Sequence, residues 1–369
     1  MISALKTVRK TWKFRLATAL AARVAPLGTL ATPAELDHLI DLQTAYWYQQ
    51  PPLTGAAADQ ALRDLNARSS SVFIFEVRGK RVRIWDKPAF AFPAEQEALR
   101  KHEQRSFGVR ALLYQAFFEA VLVRCQSLPA INFALDLADI PQVTADLPIF
   151  GFQKYKGANN LLLPDVDFFH AKWYRHDHDT LPYDDKTCSA CFVGSSTGGS
   201  ITVDSIDQLS VPRLRAAAYF QGSSNVFFRI ANAVHCDSDQ AKSLLMRQPY
   251  FCAPVEWNRQ LQHRLIISMD GNGAACSRLV KGLRSNSAVV KFDSPYELYY
   301  FPALKPGCDH LVAETETDLQ CIVAQELAKP GTFKPVALAG QQFAAKYLSI
   351  RSVMDYTARL LGAYGRLQG

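Results

Sequence analysis

The pattern of apolar and polar positions divides most of the chain into short β-rich runs and longer stretches with helical periodicity. Runs of β-branched and aromatic residues predict strands, whereas apolar residues that recur three or four apart predict helices. The predicted strands are 71–86 (a hairpin), 131–137, 188–194, 225–230, 264–270 and 287–292. One predicted helix starts at the capping-box sequence Thr32-Pro33-Ala34-Glu35. The other predicted helices cover about 94–127, 211–221, 274–285 and 340–364. This alternation favours an α/β fold with parallel sheets.

Length and composition indicate two domains. The chain has 369 residues, a length that exceeds what one hydrophobic core usually holds. Since 49% of the residues are hydrophobic, the chain can bury sizeable cores. Regular patterning pauses at about 164–173. We therefore expect four segments: a basic amphipathic segment (1–30), an N-terminal domain (31–168), a C-terminal domain (169–340) and a C-terminal helix (341–369).

The first segment is basic and amphipathic. Its apolar positions recur at helical spacing: Ile2, Leu5, Val8, Trp12, Leu16, Leu20 and Val24. Its six basic residues, and no acidic one, supply most of the chain's net charge of +7. A helix of this kind, over about 1–25, suits the anionic surface of a membrane, although a helix docked on the protein with a solvated basic face would give the same pattern.

The remaining charge and the cysteines narrow the functional class. The nearly neutral body of the chain argues against a nucleic-acid partner, which needs basic patches on the folded surface. Eight scattered cysteines and no glycosylation sequon are typical of a protein from a reducing compartment. The expected location is the cytoplasm, on the inner face of the cell membrane.

The stretch RLIISMDGNGAACSRLVKGLRSNSAVVKF (264–292) reads as strand, glycine turn, helix and strand. It partly matches the dinucleotide fingerprint G-x-G-x-x-G, but Cys276 replaces the third glycine. Asp293 lies where an acid could hold a ribose hydroxyl, and Arg278 could bind a diphosphate together with the helix N-terminus. A plain turn explains Asp270-Gly271-Asn272-Gly273 almost as well.

Other candidate chemistry is weaker. FVGSSTGG (192–199) is a second strand followed by a glycine loop, and it lacks the lysine of a P-loop. His176-Asp177-His178 and Cys188-x-x-Cys191 resemble zinc ligands, but two thiols three apart on a strand point to opposite faces, so we expect no metal. Asp139 follows a buried strand, where it could serve a ligand or only cap its own turn.

Taken in order, LADIPQV (137–143), ACFVGSSTGG (190–199) and ISMDGNGAACSRLVKGLRSNSAVVKFDSPYELYYFPALKP (267–306) resemble glycosyltransferase family 90. The resemblance covers about 130–325. It implies a GT-B architecture, in which two Rossmann-like domains face each other across a cleft, and inverting, metal-independent transfer from a UDP-sugar. No cofactor is expected beyond that donor substrate.

The resemblance also implies roles for individual residues. Asp139 matches the aspartate that acts as general base, and Arg278 matches the arginine that neutralises the UDP diphosphate. The predicted donor-binding residues are Gly194, Ser195, Ser196, Asp270, Gly271, Asn272, Gly273, Ser277, Arg278 and Asp293. The chain departs from the family at Val193, where many members have arginine, and at 306–310.

The resulting prediction is a glycosyltransferase that moves a sugar from UDP-glucose, UDP-galactose or UDP-xylose to a hydroxyl of a bacterial lipopolysaccharide or a related surface glycan. Its acceptor would be a glycan or a lipid-linked oligosaccharide. Two alternatives stay open. One is a Rossmann NAD-dependent oxidoreductase, and the other is a non-catalytic nucleotide-binding interaction protein.

Overall fold

A computed structural model describes residues 29–52, 55–87, 97–124, 128, 130–140, 143, 146–165, 168, 179–274 and 277–368. The predicted amphipathic segment over 1–25 lies outside the described residues. The described part divides into two compact units. The first unit comprises the described residues before 175, together with Tyr296–Pro302 and the segment from Tyr347 onward. The second unit comprises the described residues of 175–295 and Ala303–Lys346.

The described helices and strands alternate along most of the chain. The helices are α1 Pro33–Thr44, α2 Gly55–Arg68, α3 Glu97–Arg124, α4 Val203–Asp207, α5 Pro212–Tyr219, α6 Asp239–Met246, α7 Trp257–Gln260, α8 Ser277–Leu283, α9 Glu316–Ala328, α10 Lys334–Tyr347 and α11 Ile350–Leu367. The strands are β1 Val72–Arg78, β2 Arg81–Ile84, β3 Ile131–Asp136, β4 Ile149–Gly151, β5 Lys154–Tyr155, β6 Leu161–Leu162, β7 Thr187–Ser195, β8 Val226–Asn232, β9 His263–Ser268, β10 Ala288–Phe292, β11 Tyr296–Glu297 and β12 Leu311–Ala313. The α/β class predicted from the sequence is confirmed.

The sheet of the first unit is mixed. Its strand order is β2-β1-β3-β4-β6. The predicted hairpin is confirmed as β1 and β2, and β1 also pairs antiparallel with β3, while β3, β4 and β6 run parallel. Parallel pairing was expected for both domains, but here it is limited to β3, β4 and β6, because β1 pairs antiparallel with β3 as well as with its hairpin partner β2. A tight hairpin forces its own two strands to be antiparallel.

The sheet of the second unit is parallel in every described pairing, with the order β12-β10-β9-β7-β8. Alternate residues of β7 enter two separate apolar clusters, with Ala190 and Phe192 in one and Cys191 and Val193 in the other. The sheet is therefore covered on both faces, as parallel sheets require.

Helix α8 lies unusually close to this sheet. A Cβ atom added to Gly282 would be 2.8 Å from Cγ2 of Val289 on β10 and 3.5 Å from Cγ2 of Ile266 on β9. A glycine is thus needed for this approach of helix to strand. This is the packing role that the third glycine has in the dinucleotide fingerprint, and here it lies six residues beyond Cys276.

Two helices, α10 and α11, occupy the C-terminal stretch that was expected to hold one. The helical conformation is interrupted at Leu348-Ser349, where the Ser349 side chain accepts a hydrogen bond from the Ser352 N–H and caps α11. Capping of this kind starts a new helix in place of continuing the old one. The other predicted cap, the capping box of Thr32 and Glu35 at the start of α1, is confirmed.

One described helical stretch, Ser106–Val123 in α3, is long and apolar enough to cross a membrane by length and composition. Its apolar residues include Tyr114, Phe117 and Phe118, which are fully buried. The Phe118 ring lies edge-on to Phe75 and Phe133 of the sheet, at 5.3 and 5.4 Å between centroids. Burial in the core of the first unit is a sufficient reason for this composition.

Candidate active site

Asp139 lies just after the carboxyl end of β3, in the first unit. Its side chain is 45% exposed, and Oδ1 lies 2.8 Å from Nη1 of Arg110 on α3. The same guanidinium donates to the Leu137 carbonyl oxygen at 2.7 Å. Arg110 therefore fixes the carboxylate relative to the strand end and leaves it accessible.

Arg110 was not found from the sequence, because it lies in the middle of the preceding helix, outside the local pattern around Asp139. Burial of its guanidinium would by itself lower the pKa of Arg110. The charge and hydrogen bond of Asp139, with smaller contributions from Asp165 and Tyr114, together outweigh burial and raise the pKa above its ordinary value. The guanidinium thus remains a permanent positive charge beside Asp139.

A second carboxylate, Asp136, ends β3 but is differently placed. It is only 2% exposed, and its Oδ1 accepts a hydrogen bond from the Ala138 N–H at 3.0 Å. Its charge partly opposes the effect of burial on Lys87, whose pKa is lowered to about 8. Of these two aspartates, only Asp139 is open to a substrate.

In the second unit, the first glycine loop (195–199) follows β7. A Cβ atom at Gly194 would be 2.8 Å from Cζ of Phe192 and 3.5 Å from Nη2 of Arg278, so only glycine fits at this strand end. Ser195 Oγ accepts a hydrogen bond from Nδ2 of Asn232 at 3.3 Å. Ser196 is fully buried, and its hydroxyl both donates to the Val234 carbonyl at 2.8 Å and accepts from the Val234 N–H at 2.9 Å.

These contacts distinguish the three predicted donor-binding residues at the end of β7 and the start of the first glycine loop, Gly194, Ser195 and Ser196. Ser196 joins the loop to the segment after β8 and has no side-chain atom exposed to a ligand. Gly194 and Ser195 are half-buried at the sheet edge, where a ligand could approach them.

The second glycine loop (269–273) follows β9. The Asp270 carboxylate accepts a hydrogen bond from the Ser294 hydroxyl, and its Oδ1 lies 3.7 Å from Nζ of Lys291. Asn272 Nδ2 lies 3.2 Å from Nε2 of His235, a residue with a left-handed φ of 57°. Gly271 and Asn272 are half-buried, whereas Gly273 is buried.

Arg278 lies in the first turn of α8, after the half-buried Ser277. Its guanidinium donates to the Val193 carbonyl oxygen and, at 2.9 Å, to Oε1 of Gln260. It also lies 4.4 Å from the centroid of the Phe192 ring. Arg278, the residue predicted to bind the diphosphate, therefore lies next to Gly194 and is at the same time bonded to β7. Cys276 lies outside the described residues.

Sequence reasoning missed a second arginine at this edge, Arg213 on α5. It is 7% exposed. Its guanidinium donates to Ser195 O at 2.9 Å and Thr197 Oγ1 at 2.7 Å on the first loop. It also donates to Met269 O at 2.7 Å and Asp270 O at 3.0 Å on the second. The available signal was an arginine flanked by the buried apolar positions Val211 and Leu214.

Asp293 follows β10, one strand further from β7. It is exposed, and its backbone N–H donates to the Ala313 carbonyl oxygen at 3.0 Å. It therefore shares the carboxyl edge of the sheet with the two glycine loops without belonging to either.

The zinc hypothesis finds no support in the described residues, where no group of three or more His, Cys, Asp and Glu side chains could hold a metal. Cys188 donates to the Glu326 carbonyl oxygen at 3.3 Å, whereas Cys191 is buried in the other apolar cluster, and burial raises its pKa to about 12. The two thiols are on opposite faces of β7, as predicted. His176–His178 lie outside the described residues.

The topology explains why both glycine loops belong to one site. Numbered from β7, the strands of the second sheet have the spatial order 2-1-3-4-5, so the order reverses between β7 and β9. In open parallel sheets, ligands bind at the carboxyl ends of the strands that flank this reversal. The loops that follow β7 and β9 are the two glycine loops, and the Phe192 ring there lies within 5.1 Å of Arg213 and 4.4 Å of Arg278. Small residues and two nearby cations suit an anionic ligand.

Comparison with known proteins identifies the family of the chain. The model of glycosyl transferase family 90 matches residues 94–369. Comparison with curated proteins gives no match. A solved structure described as the crystal structure of GtfA/B complex shares 13% identity, with a TM-score of 0.32, over 52% of this chain and 39% of its own. Since the family model covers about three quarters of its length, the chain belongs to glycosyl transferase family 90.

Proposed function

We propose that this glycosyltransferase moves a sugar from UDP-glucose, UDP-galactose or UDP-xylose to a hydroxyl of a bacterial lipopolysaccharide or a related surface glycan, with inversion and without a metal. The observation that carries the proposal is the convergence of the two glycine loops at the strand-order reversal of the second sheet. These are the segments that the family resemblance assigns to the donor.

The proposed chemistry divides between the two units, taken as the two domains of a GT-B enzyme. Asp139 removes the proton of the acceptor hydroxyl as that oxygen attacks the anomeric carbon. The bond from the anomeric carbon to the diphosphate oxygen breaks, and the developing negative charge is stabilised by Arg278 and by the backbone of the glycine loops. A half-exposed carboxylate and a fixed guanidinium are the groups that these steps require.

We further propose that the enzyme is cytoplasmic and peripheral on the inner face of the cell membrane. The support is the basic amphipathic pattern of residues 1–25, which would bring the enzyme to a lipid-linked acceptor.

The oxidoreductase alternative has less support than UDP binding. Family membership disfavours it, and the third fingerprint glycine is replaced by Cys276. Thermal shift measurements with UDP and with NAD distinguish the two. We expect UDP at a hundredfold excess over its Kd to stabilise the protein by about 2.7 kcal/mol and NAD to have no effect. Stabilisation by NAD alone would refute the proposal.

A further inference from the structure

Arg213 has an unusual position for an arginine, because it lies almost wholly inside the second unit. Helix α5 begins at Pro212, and the next residue turns its side chain towards the carboxyl ends of β7 and β9. A buried guanidinium is costly unless its N–H groups are bonded, and here Nε, Nη1 and Nη2 all donate to the protein. Backbone carbonyl oxygens are therefore arranged around the guanidinium so that each of its three nitrogens has an acceptor.

The bonds of Arg213 are divided between the two glycine loops. Nη1 reaches Ser195 and Thr197 on the first loop, at 2.9 and 2.7 Å. Nε and Nη2 reach Asp270 and Met269 on the second, at 3.0 and 2.7 Å. The rigid planar fork of arginine can serve both loops at once, which the single ammonium group of lysine cannot.

The loops also touch directly beside this side chain. A Cβ atom at Gly271 would be 2.3 Å from Oγ1 of Thr197 and 3.0 Å from Nη2 of Arg213. Gly271 does not have a left-handed φ, so the reason for glycine here is space alone. The second loop fits against the first only because position 271 has no side chain.

We propose that Arg213, with the Thr197–Gly271 contact, is a positioning residue that holds the two glycine loops as one surface for the diphosphate of the nucleotide sugar. This inference rests on the proposed function for the identity of the ligand. The holding of the loops themselves follows from the contacts above. Arg213 acts through the loop backbones and not as a catalytic residue.

The sharpest test is the variant Gly271→Ala, because it separates the loops without removing a charge. We expect UDP affinity, measured by calorimetry on the full chain, to fall about tenfold or more as bonds to the diphosphate are lost. The second variant, Thr197→Ala in the Gly271→Ala background, removes the closest clash. It should restore UDP affinity to within about threefold of wild type, since the loops can close again.

The variant Arg213→Lys keeps the positive charge but replaces the planar guanidinium with a single ammonium group. Hydrogen exchange of the backbone amides in 195–199 and 269–273 should accelerate in this variant and in Gly271→Ala, in both loops together. Gly222→Ala is the control, because a Cβ atom there meets nothing within 4 Å. It should leave both UDP affinity and exchange at wild-type values.

Wild-type affinity in Gly271→Ala, or failure of the Thr197→Ala change to restore it, would overturn the inference. So would unchanged loop exchange in Arg213→Lys. If the wild-type protein itself does not bind UDP, the proposed function fails. The exchange measurement then still decides whether Arg213 holds the two loops together.

Discussion

The two aspartates at the end of β3 differ in their exposure to solvent, which a general base requires. Asp136 and Asp139 are three residues apart, yet one is 2% exposed and bonded to its own loop, while the other has a side chain that is 45% exposed. A base must reach its substrate, so the choice between the two follows from accessibility and not from residue type.

Asp139→Asn is expected to lower kcat by a factor of about 10² to 10⁴, because an amide cannot take the proton of the acceptor hydroxyl. The affinity for UDP should stay within twofold of wild type. The control is Asp146→Asn, which changes an exposed aspartate of the same unit and should leave kcat intact. An Asp139→Asn enzyme with wild-type turnover would exclude Asp139 as the base.

Arg278→Ala should weaken UDP binding by about tenfold or more, since a charged hydrogen bond to the diphosphate is lost. This side chain also bonds to Val193 and Gln260, so a fall in Tm is expected as well. Calorimetry below the Tm of the variant separates the two effects. Lower stability with unchanged UDP affinity would leave Arg278 only a structural role.

The residues that sequence reasoning found and missed differ in a physical way. Asp139, Gly194 and Arg278 lie in local patterns, a strand end or a glycine turn, that are visible in a few neighbouring letters. Arg110 and Arg213 act through partners far along the chain, and no local pattern specifies such contacts. Tertiary packing alone brings Arg110 to Asp139 and Arg213 to the glycine loops.

At the level of elements, β7, β8, β9 and β10 of the second sheet were predictable because their apolar runs are bounded by glycine and polar turns. The fifth strand, β12, was missed because its three residues are too few to show a pattern. The break between α10 and α11 was less visible, since apolar residues continue through Leu348 at helical spacing. The helix break is fixed by the N-cap at Ser349, and a serine alone is a weak sign of a break within a helical pattern.

Gly282→Ala is expected to lower the free energy of unfolding by about 1–3 kcal/mol, because its Cβ atom would press α8 away from the sheet. Gly222→Ala is the matched control and should change it by less than about 0.5 kcal/mol. Urea denaturation of both variants measures the difference. Equal stability of the two would contradict the close packing of α8 on Val289.

For the whole molecule, the path of the chain between the two units was the feature least predictable from the sequence. The first unit contains Tyr296–Pro302 and the C-terminal segment, so the chain leaves the second unit twice to complete the first. Helix α11 packs there with Tyr356 and Tyr364 buried. Local patterns place helices and strands, but they do not state which unit each one joins.

Stability should also depend on pH through His310, which is 5% exposed and whose Nδ1 has no hydrogen-bond partner among the described residues. Burial, and then the charge of Lys291, lower its pKa to about 4 from 6.5. In that interval the unfolded chain binds the proton more readily, so stability is complete above pH 6.5 and falls on acidification towards pH 4. The loss is up to about 3 kcal/mol.

His310→Gln should flatten this decline in the free energy of unfolding, measured by urea denaturation from pH 7 to pH 4. His38→Gln, on the exposed face of α1, controls for the loss of a histidine as such. An equally steep decline in His310→Gln would show that other groups cause it.

This member of family 90 is proposed to use a UDP-sugar as its donor. The test is UDP release by the wild-type protein incubated separately with UDP-glucose, UDP-galactose and UDP-xylose, with water as a slow acceptor. We expect UDP release from at least one of the three and slower release in Arg278→Ala. If none of them yields UDP and UDP itself does not bind, the proposed donor class is wrong.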